Sequence, residues 1–132
     1  MNRRGFLWAA VAAGLALTGR NPVAAQQSVE EMNASENRIR AALRSKRTLR
    51  FRYHEHARRV EPHALGRMKD GRLALLGWQI AGGSQSEPPP GWRTFLLEEM
   101  KEVVLGAEKF AARQDYRPEK IAFAAIVAEV AP

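Results

Sequence analysis

The sequence predicts a mainly β, α+β fold: a small five-stranded barrel or curled sheet with an N-terminal helix and a short C-terminal helix. Three observations carry this. The apolar spacing changes at Thr48 from the three-and-four pattern of a helix to the alternation of a strand. Lys69-Asp70-Gly71-Arg72 places an Asp-Gly turn between two apolar runs, and Gly accepts the positive φ that tight hairpins need. The Gly- and Pro-rich stretch 82–91 then cuts the remainder into strand-length pieces.

The elements follow in order. Ser28-Val29-Glu30-Glu31 has the form of a capping box, and Val29, Met32, Ile39 and Leu43 make one apolar stripe, so residues 26–47 are expected to be the first helix. Its start is acidic and its end basic, as the helix dipole favours. From Thr48, Leu49, Phe51 and Tyr53 alternate with Arg50, Arg52 and His54, a strand with one apolar and one cationic face. A second strand is expected over Arg59–Met68; its Pro62 requires an edge, a bulge or a strand start. Leu73–Ala81 returns, and its run Leu73-Ala74-Leu75-Leu76 is apolar on both faces, as in a central strand. Trp92–Leu97 and Lys101–Leu105 read as two further strands, with a helix over Leu96–Leu105 as the alternative. Pro118 at a first helical position, followed by Glu119, predicts a last helix to about Val130.

Residues 1–25 are expected to lie outside the fold. Arg3 and Arg4 precede an almost uncharged run from Phe6 to Leu17, and Val23-Ala24-Ala25 offers small residues for cleavage before Gln26. This is the layout of a secretory signal peptide. Asn2-Arg3-Arg4-Gly5-Phe6-Leu7 resembles a twin-arginine export signal, which implies a periplasmic destination after folding in the cytoplasm. The alternative, an uncleaved anchor, has only 15 residues between Arg4 and Arg20, against the roughly 20 a spanning helix needs.

Charge sharpens the expectation of an anionic partner. The 132-residue chain carries 21 Lys+Arg and 14 Asp+Glu, a net +7. Without residues 1–25 the net falls to +4, and residues 38–72 alone hold twelve basic and three acidic side chains. The absence of cysteine excludes disulfides, thiolate zinc sites and a bacterial lipid anchor.

The ordered set Arg59-Val60-Glu61-Pro62-His63, Gly66, Gly71, Trp78-Gln79, Gly82-Gly83-Ser84, Gly91-Trp92, Phe95 and Glu99-Met100 resembles a stand-alone group of the WYL domain family. The resemblance runs from about Leu43 to Val130 and implies an Sm-like barrel over residues 48–132 that senses a ligand. In the family that ligand is often a nucleotide or nucleic acid, and a helix-turn-helix usually stands beside the barrel. Two positions depart from the pattern. The naming triplet falls at Leu73-Ala74-Leu75, without its Trp and Tyr, and a family basic residue falls at Glu99. Between the expected cleavage site and the barrel there is room for one helix and no helix-turn-helix.

Arg59, His63 and Arg93, flanked by Trp78 and Gln79, are the candidate ligand-binding residues. Guanidinium forks suit phosphate or carboxylate, and His63 adds a donor near neutral pH. The competing reading has these arginines pair with Glu61, Glu98 or Glu99 while the tryptophans fill a core. A basic ridge of Arg44, Lys46, Arg47, Arg50 and Arg52, within residues 38–59, is the alternative site, for a polyanion or anionic membrane surface. His54, His56 and His63 lie close enough in sequence for a metal triad, but Arg50, Arg52, Arg58 and Arg59 would repel the cation, so no metal and no cofactor is expected. No catalytic set emerges. Ser84 and Ser86 lack an adjacent base, and the neighbours Glu98 and Glu99 would face apart on a strand, so the expectation is a module that is not an enzyme and binds a small anionic ligand or a partner protein, and that meets no genomic DNA if exported.

Overall fold

The computed structural model describes residues 22–84 and 87–132, so the expected signal peptide lies outside the described residues except for its last four positions. Residues 34–132 form one compact unit. Helix α1 spans Pro22–Ser45 and precedes six strands: β1 (Arg47–Tyr53), β2 (His56–Met68), β3 (Leu73–Gly82), β4 (Gly91–Leu96), β5 (Lys101–Lys109) and β6 (Phe123–Glu129). All pairings are antiparallel, in the order β4-β3-β2-β1-β5, with β6 added to β2. Among the described residues no helix is long and apolar enough to cross a membrane.

The helix starts earlier than the Ser28 capping box suggests. Pro22 has φ preset for a first helical turn, and the Ala and Gln residues after it favour helix, so Ser28 lies inside the helix. Ile39, Ala42 and Leu43 from its second half are fully or almost fully buried, whereas Val29 is exposed.

The core is built by alternation. Leu49, Phe51 and Tyr53 point inward from β1 and meet Val60 and Leu65, Leu75, Phe95, Leu97, Met100 and Val103. Phe51 and Tyr53 each meet the Phe95 ring edge to face, at 4.9 and 5.0 Å between centroids. Each such pair adds about 0.5–1.5 kcal/mol to what area burial gives.

β2 organises the sheet. Its first half pairs with β1 up to Leu49↔Val60, its second half pairs with β6, and β3 runs along its other side from Arg58 to Arg67. Pro62 is accommodated in this central strand by a register shift between Pro62 and Ala64, the bulge its missing N–H requires. The Asp-Gly hairpin closes β2 onto β3 with Gly71 at φ +92°.

Two expectations are corrected. The expected C-terminal helix is only the 3-10 turn Pro118–Lys120, followed by strand β6. Phe123, Ile126 and Val127 favour extended backbone, and the second half of β2 offers unpaired backbone groups where β1 has ended. The Phe123 ring lies over Gly66 of β2, 2.5 Å from where a Cβ would stand. The barrel is also not closed: there are six strands rather than five, and β4 and β5 are the two ends of the main path, joined through the 3-10 turn Leu97–Glu99 without a strand pairing between them.

Candidate functional site

Alternation that sends Leu49, Phe51 and Tyr53 into the core sends Arg50 and Arg52 to the opposite face of β1. There, Arg50 stands directly across from Arg59 of β2 and from Val104 of β5. Arg52 stands across from Ala57 and from Lys101, and Arg59 lies beside Ala81 of β3. These four strands form a groove of about 490 Å³ in which Arg50, Arg52 and Arg59 surround Ala57, Ala81, Gly82 and Val104, with Glu102 as the only lining carboxylate among the described residues. Small side chains leave the depth; cations frame it.

The cations are incompletely matched. Like charges directly opposite one another on paired strands destabilise a sheet. The Arg50 side chain makes no hydrogen bond or ion pair among the described residues, and Arg59 reaches Glu108 at 3.7 Å while its Nε is buried without a hydrogen-bond partner. The Glu108 carboxyl is held below the usual carboxylate range, first by its own backbone N–H and the Thr48 hydroxyl, then by Arg59 and Arg50.

Arg58 also borders the groove, but it stands opposite Phe51 on β1, so its guanidinium lies on the core side of the sheet, away from Arg50 and Arg59. Arg58 is only 6% exposed, yet no carboxylate pairs with it among the described residues. Its Nη1 donates to Gln79 Oε1 at 3.2 Å, its Nη2 donates to the Tyr53 carbonyl at 3.0 Å, and it lies over the Tyr53 and Phe95 rings. Its Nε has no partner. Burial, reinforced by Arg93, pushes this guanidinium below its usual range. A buried cation without an acid is costly, and the Gln79 amide, the Tyr53 carbonyl and the two ring faces offset that cost.

The five sequence-predicted ligand residues do not converge. Arg59 alone lines the groove. Gln79 is buried, committed to Arg58 and to the carbonyls of Ala81 and Gly83 at 3.2 and 3.0 Å. Arg93 donates to the Trp92 and Glu87 carbonyls. His63 is fully buried: Nδ1 donates to the Glu61 carbonyl at 2.9 Å, and Nε2 accepts the Arg113 N–H at 3.1 Å. Trp92, Phe110 and Tyr116 surround its ring, and burial lowers its pKa from the ordinary histidine value. Trp78 meets Trp92 edge to face and carries the Arg113 guanidinium 3.9 Å above its ring. This group is a second small core on the outer side of β3 and β4.

The basic ridge divides as well. Lys46 Nζ donates to the Pro132 carbonyl at 2.7 Å and Arg47 Nε to Gly106 at 2.8 Å, while Arg44 is exposed at the end of α1. Arg50 and Arg52 belong to the groove. The histidines are separated: His54 Nε2 makes a close contact with Glu99 Oε1 beside a cleft of about 350 Å³, His56 packs against Gly83, and His63 is enclosed.

Sequence reasoning missed Arg58 and the pairing of Arg50 with Arg59. Alternation along β1 does place Arg50 outward; the register that sets Arg59 opposite it depends on the turn Tyr53–His56, whose His54 and Glu55 both adopt positive φ.

Comparison with known proteins bears on the fold and the family. The fold is similar to that of proteasome accessory factor B/C (PafBC) of Arthrobacter aurescens, with a TM-score of 0.53 and 22% identity over 65% of this chain and 14% of that one. The chain thus spans about one seventh of that protein's length. No curated protein matches it. Residues 36–105 match the WYL domain, from the second half of α1 through most of β5, and the chain belongs to the WYL domain family.

Proposed function

We propose that this WYL domain is a non-catalytic module, exported to the periplasm, that binds a small anionic ligand in the groove of Arg50, Arg52 and Arg59. The observation that carries the reading is the direct opposition of Arg50 and Arg59 across β1 and β2, matched only by Glu108 at 3.7 Å from Arg59 among the described residues. A phosphate or carboxylate seated there accepts charge-assisted hydrogen bonds from the Arg50 and Arg59 guanidinium forks. The apolar floor of Ala57, Ala81 and Val104 suits a ligand with a compact apolar part beside its charge. For the periplasmic address, the support is Arg3-Arg4 before an apolar run and a small-residue cleavage site.

The test is titration calorimetry with inorganic phosphate and adenosine 5′-monophosphate against the protein and an Arg50→Ala/Arg59→Ala variant. Binding of either probe that weakens at least tenfold in the variant supports the groove. Equal affinity in the two proteins overturns it. Heparin is the contrasting probe: retention with a steep salt dependence, and no binding of either small anion, favours the polyanion reading of the ridge instead.

A further inference from the structure

We propose that a cavity between β4 and the 110–121 segment is a second ligand site, which takes an aromatic ring bearing a carboxylate. Leu76 and Thr94, like Trp78 and Trp92, stand opposite one another on β3 and β4, on the face away from Phe95 and the main core. The chain from Phe110 crosses this face and is fastened to it: Arg113 lies over Trp78, and Asp115 accepts the Trp92 indole N–H at 3.2 Å. Where this segment turns through Pro118–Lys120 it stands off the sheet and leaves a cavity of about 380 Å³. Leu76, Trp92 and Ile121 supply its apolar lining; Asp115, Arg117 and Lys120 supply its charge.

The charges select the ligand. Asp115 is already used: it holds the Trp92 indole and pairs with Arg113 Nε at 3.4 Å, and these partners, the indole first, keep its carboxyl below the usual carboxylate range. Arg117 is oriented by two bonds from one nitrogen, Nη1 donating to the Gln114 and Tyr116 carbonyls at 2.9 Å, which leaves the other arm of its fork for a ligand. Lys120 has no side-chain partner among the described residues. An aromatic ring is therefore received by the Trp92 face and the Leu76 and Ile121 side chains, and its carboxylate by Arg117 and Lys120. None of these residues belongs to the arginine groove, so the two sites stand or fall separately.

Calorimetry with 2-naphthoate, 2-naphthalenemethanol and acetate on the full chain tests this. The expected result is saturable binding of 2-naphthoate, at least tenfold weaker binding of the neutral alcohol, and none of acetate. Arg117→Glu/Lys120→Glu, both exposed positions, is expected to weaken 2-naphthoate at least tenfold, and Ile121→Trp to block it by filling the cavity. Arg50→Ala/Arg59→Ala is expected to leave it unchanged. Equal binding of acid and alcohol, or undiminished binding in the Arg117→Glu/Lys120→Glu variant with an unchanged circular dichroism spectrum, overturns the proposal. Loss of 2-naphthoate binding in the Arg50→Ala/Arg59→Ala variant also overturns it, by assigning the ligand to the groove.

Discussion

The Nε2 atom of His63 accepts the backbone N–H of Arg113 at 3.1 Å, fifty positions along the chain, while its Nδ1 donates to the Glu61 carbonyl. Both ring nitrogens are thereby used by the neutral imidazole, and a second proton would have to displace the Arg113 N–H. The histidine holds the irregular segment after β5 against the sheet.

This fixes the sign of one pH dependence. Burial lowers the folded-state pKa of His63 below its unfolded value, so between the two the unfolded chain binds more protons. The stabilisation is fully present above the unfolded value of about 6.5 and is lost as pH falls through the folded one, by at most about 1.4 kcal/mol per pH unit. Glu61, raised chiefly by burial, contributes the opposite slope above its unfolded value. Urea midpoints from pH 7.5 to 5 on the wild type and His63→Gln separate the two: the wild type is expected to lose more stability over this range than the variant. Identical slopes would mean the imidazole titrates alike in both states.

Much of this was legible in the chain. The alternation of Leu49, Phe51 and Tyr53 announced β1, Asp70-Gly71 announced the hairpin, and Pro62, expected at an edge, a bulge or a strand start, sits at a bulge. The candidate site was less legible because it depends on register. Val60-Glu61-Pro62-His63 carries the family resemblance and His63 is expected to donate to a ligand, but it is a buried, neutral histidine that ties down the Arg113 segment. Phe123–Glu129 carries a pattern compatible with a helix after Pro118; what makes it a strand is the free second half of β2, which is far away in sequence.

Gln79 is the acceptor that keeps the Arg58 guanidinium inside the fold, and its amide also bridges to Ala81 and Gly83. Gln79→Leu keeps the bulk and removes these bonds, leaving a buried cation with one donor arm unmatched and two carbonyls short of a donor. The expected loss is about 1–3 kcal/mol, measured by urea unfolding. A variant as stable as the wild type would show that Arg58 finds another acceptor or leaves its position.

The Gly66–Phe123 contact predicts a specific rescue. A methyl group at position 66 would stand 2.5 Å from the Phe123 ring, so Gly66→Ala must push β6 from β2 or turn the ring. Overpacking of this kind costs about 1–3 kcal/mol. Phe123→Ala removes the obstruction at the cost of its own packing. The double variant is expected to be more stable than the sum of the single losses implies, with a coupling of at least about 0.5 kcal/mol. Strict additivity in urea unfolding would place Phe123 away from Gly66.

Export supplies the last test, and it bears on the ligand. If Arg3 and Arg4 are the twin-arginine pair, replacing both with Lys keeps the charge and the apolar run but removes the recognised side chains. The expected outcome is accumulation of the uncleaved chain in the cytoplasm, whereas the wild type is recovered from the periplasm beginning at Gln26. N-terminal sequencing of both fractions reads this directly. A wild-type chain that retains Met1 in the cytoplasm would return the groove to cytoplasmic anions. Loss of residues 1–25 lowers the net charge from +7 to +4 but leaves the groove intact, because Arg50, Arg52, Arg58 and Arg59 all lie beyond the cut. Removal of the leader should therefore leave anion affinity unchanged within twofold, and a larger change would mean the leader's three arginines contribute to binding.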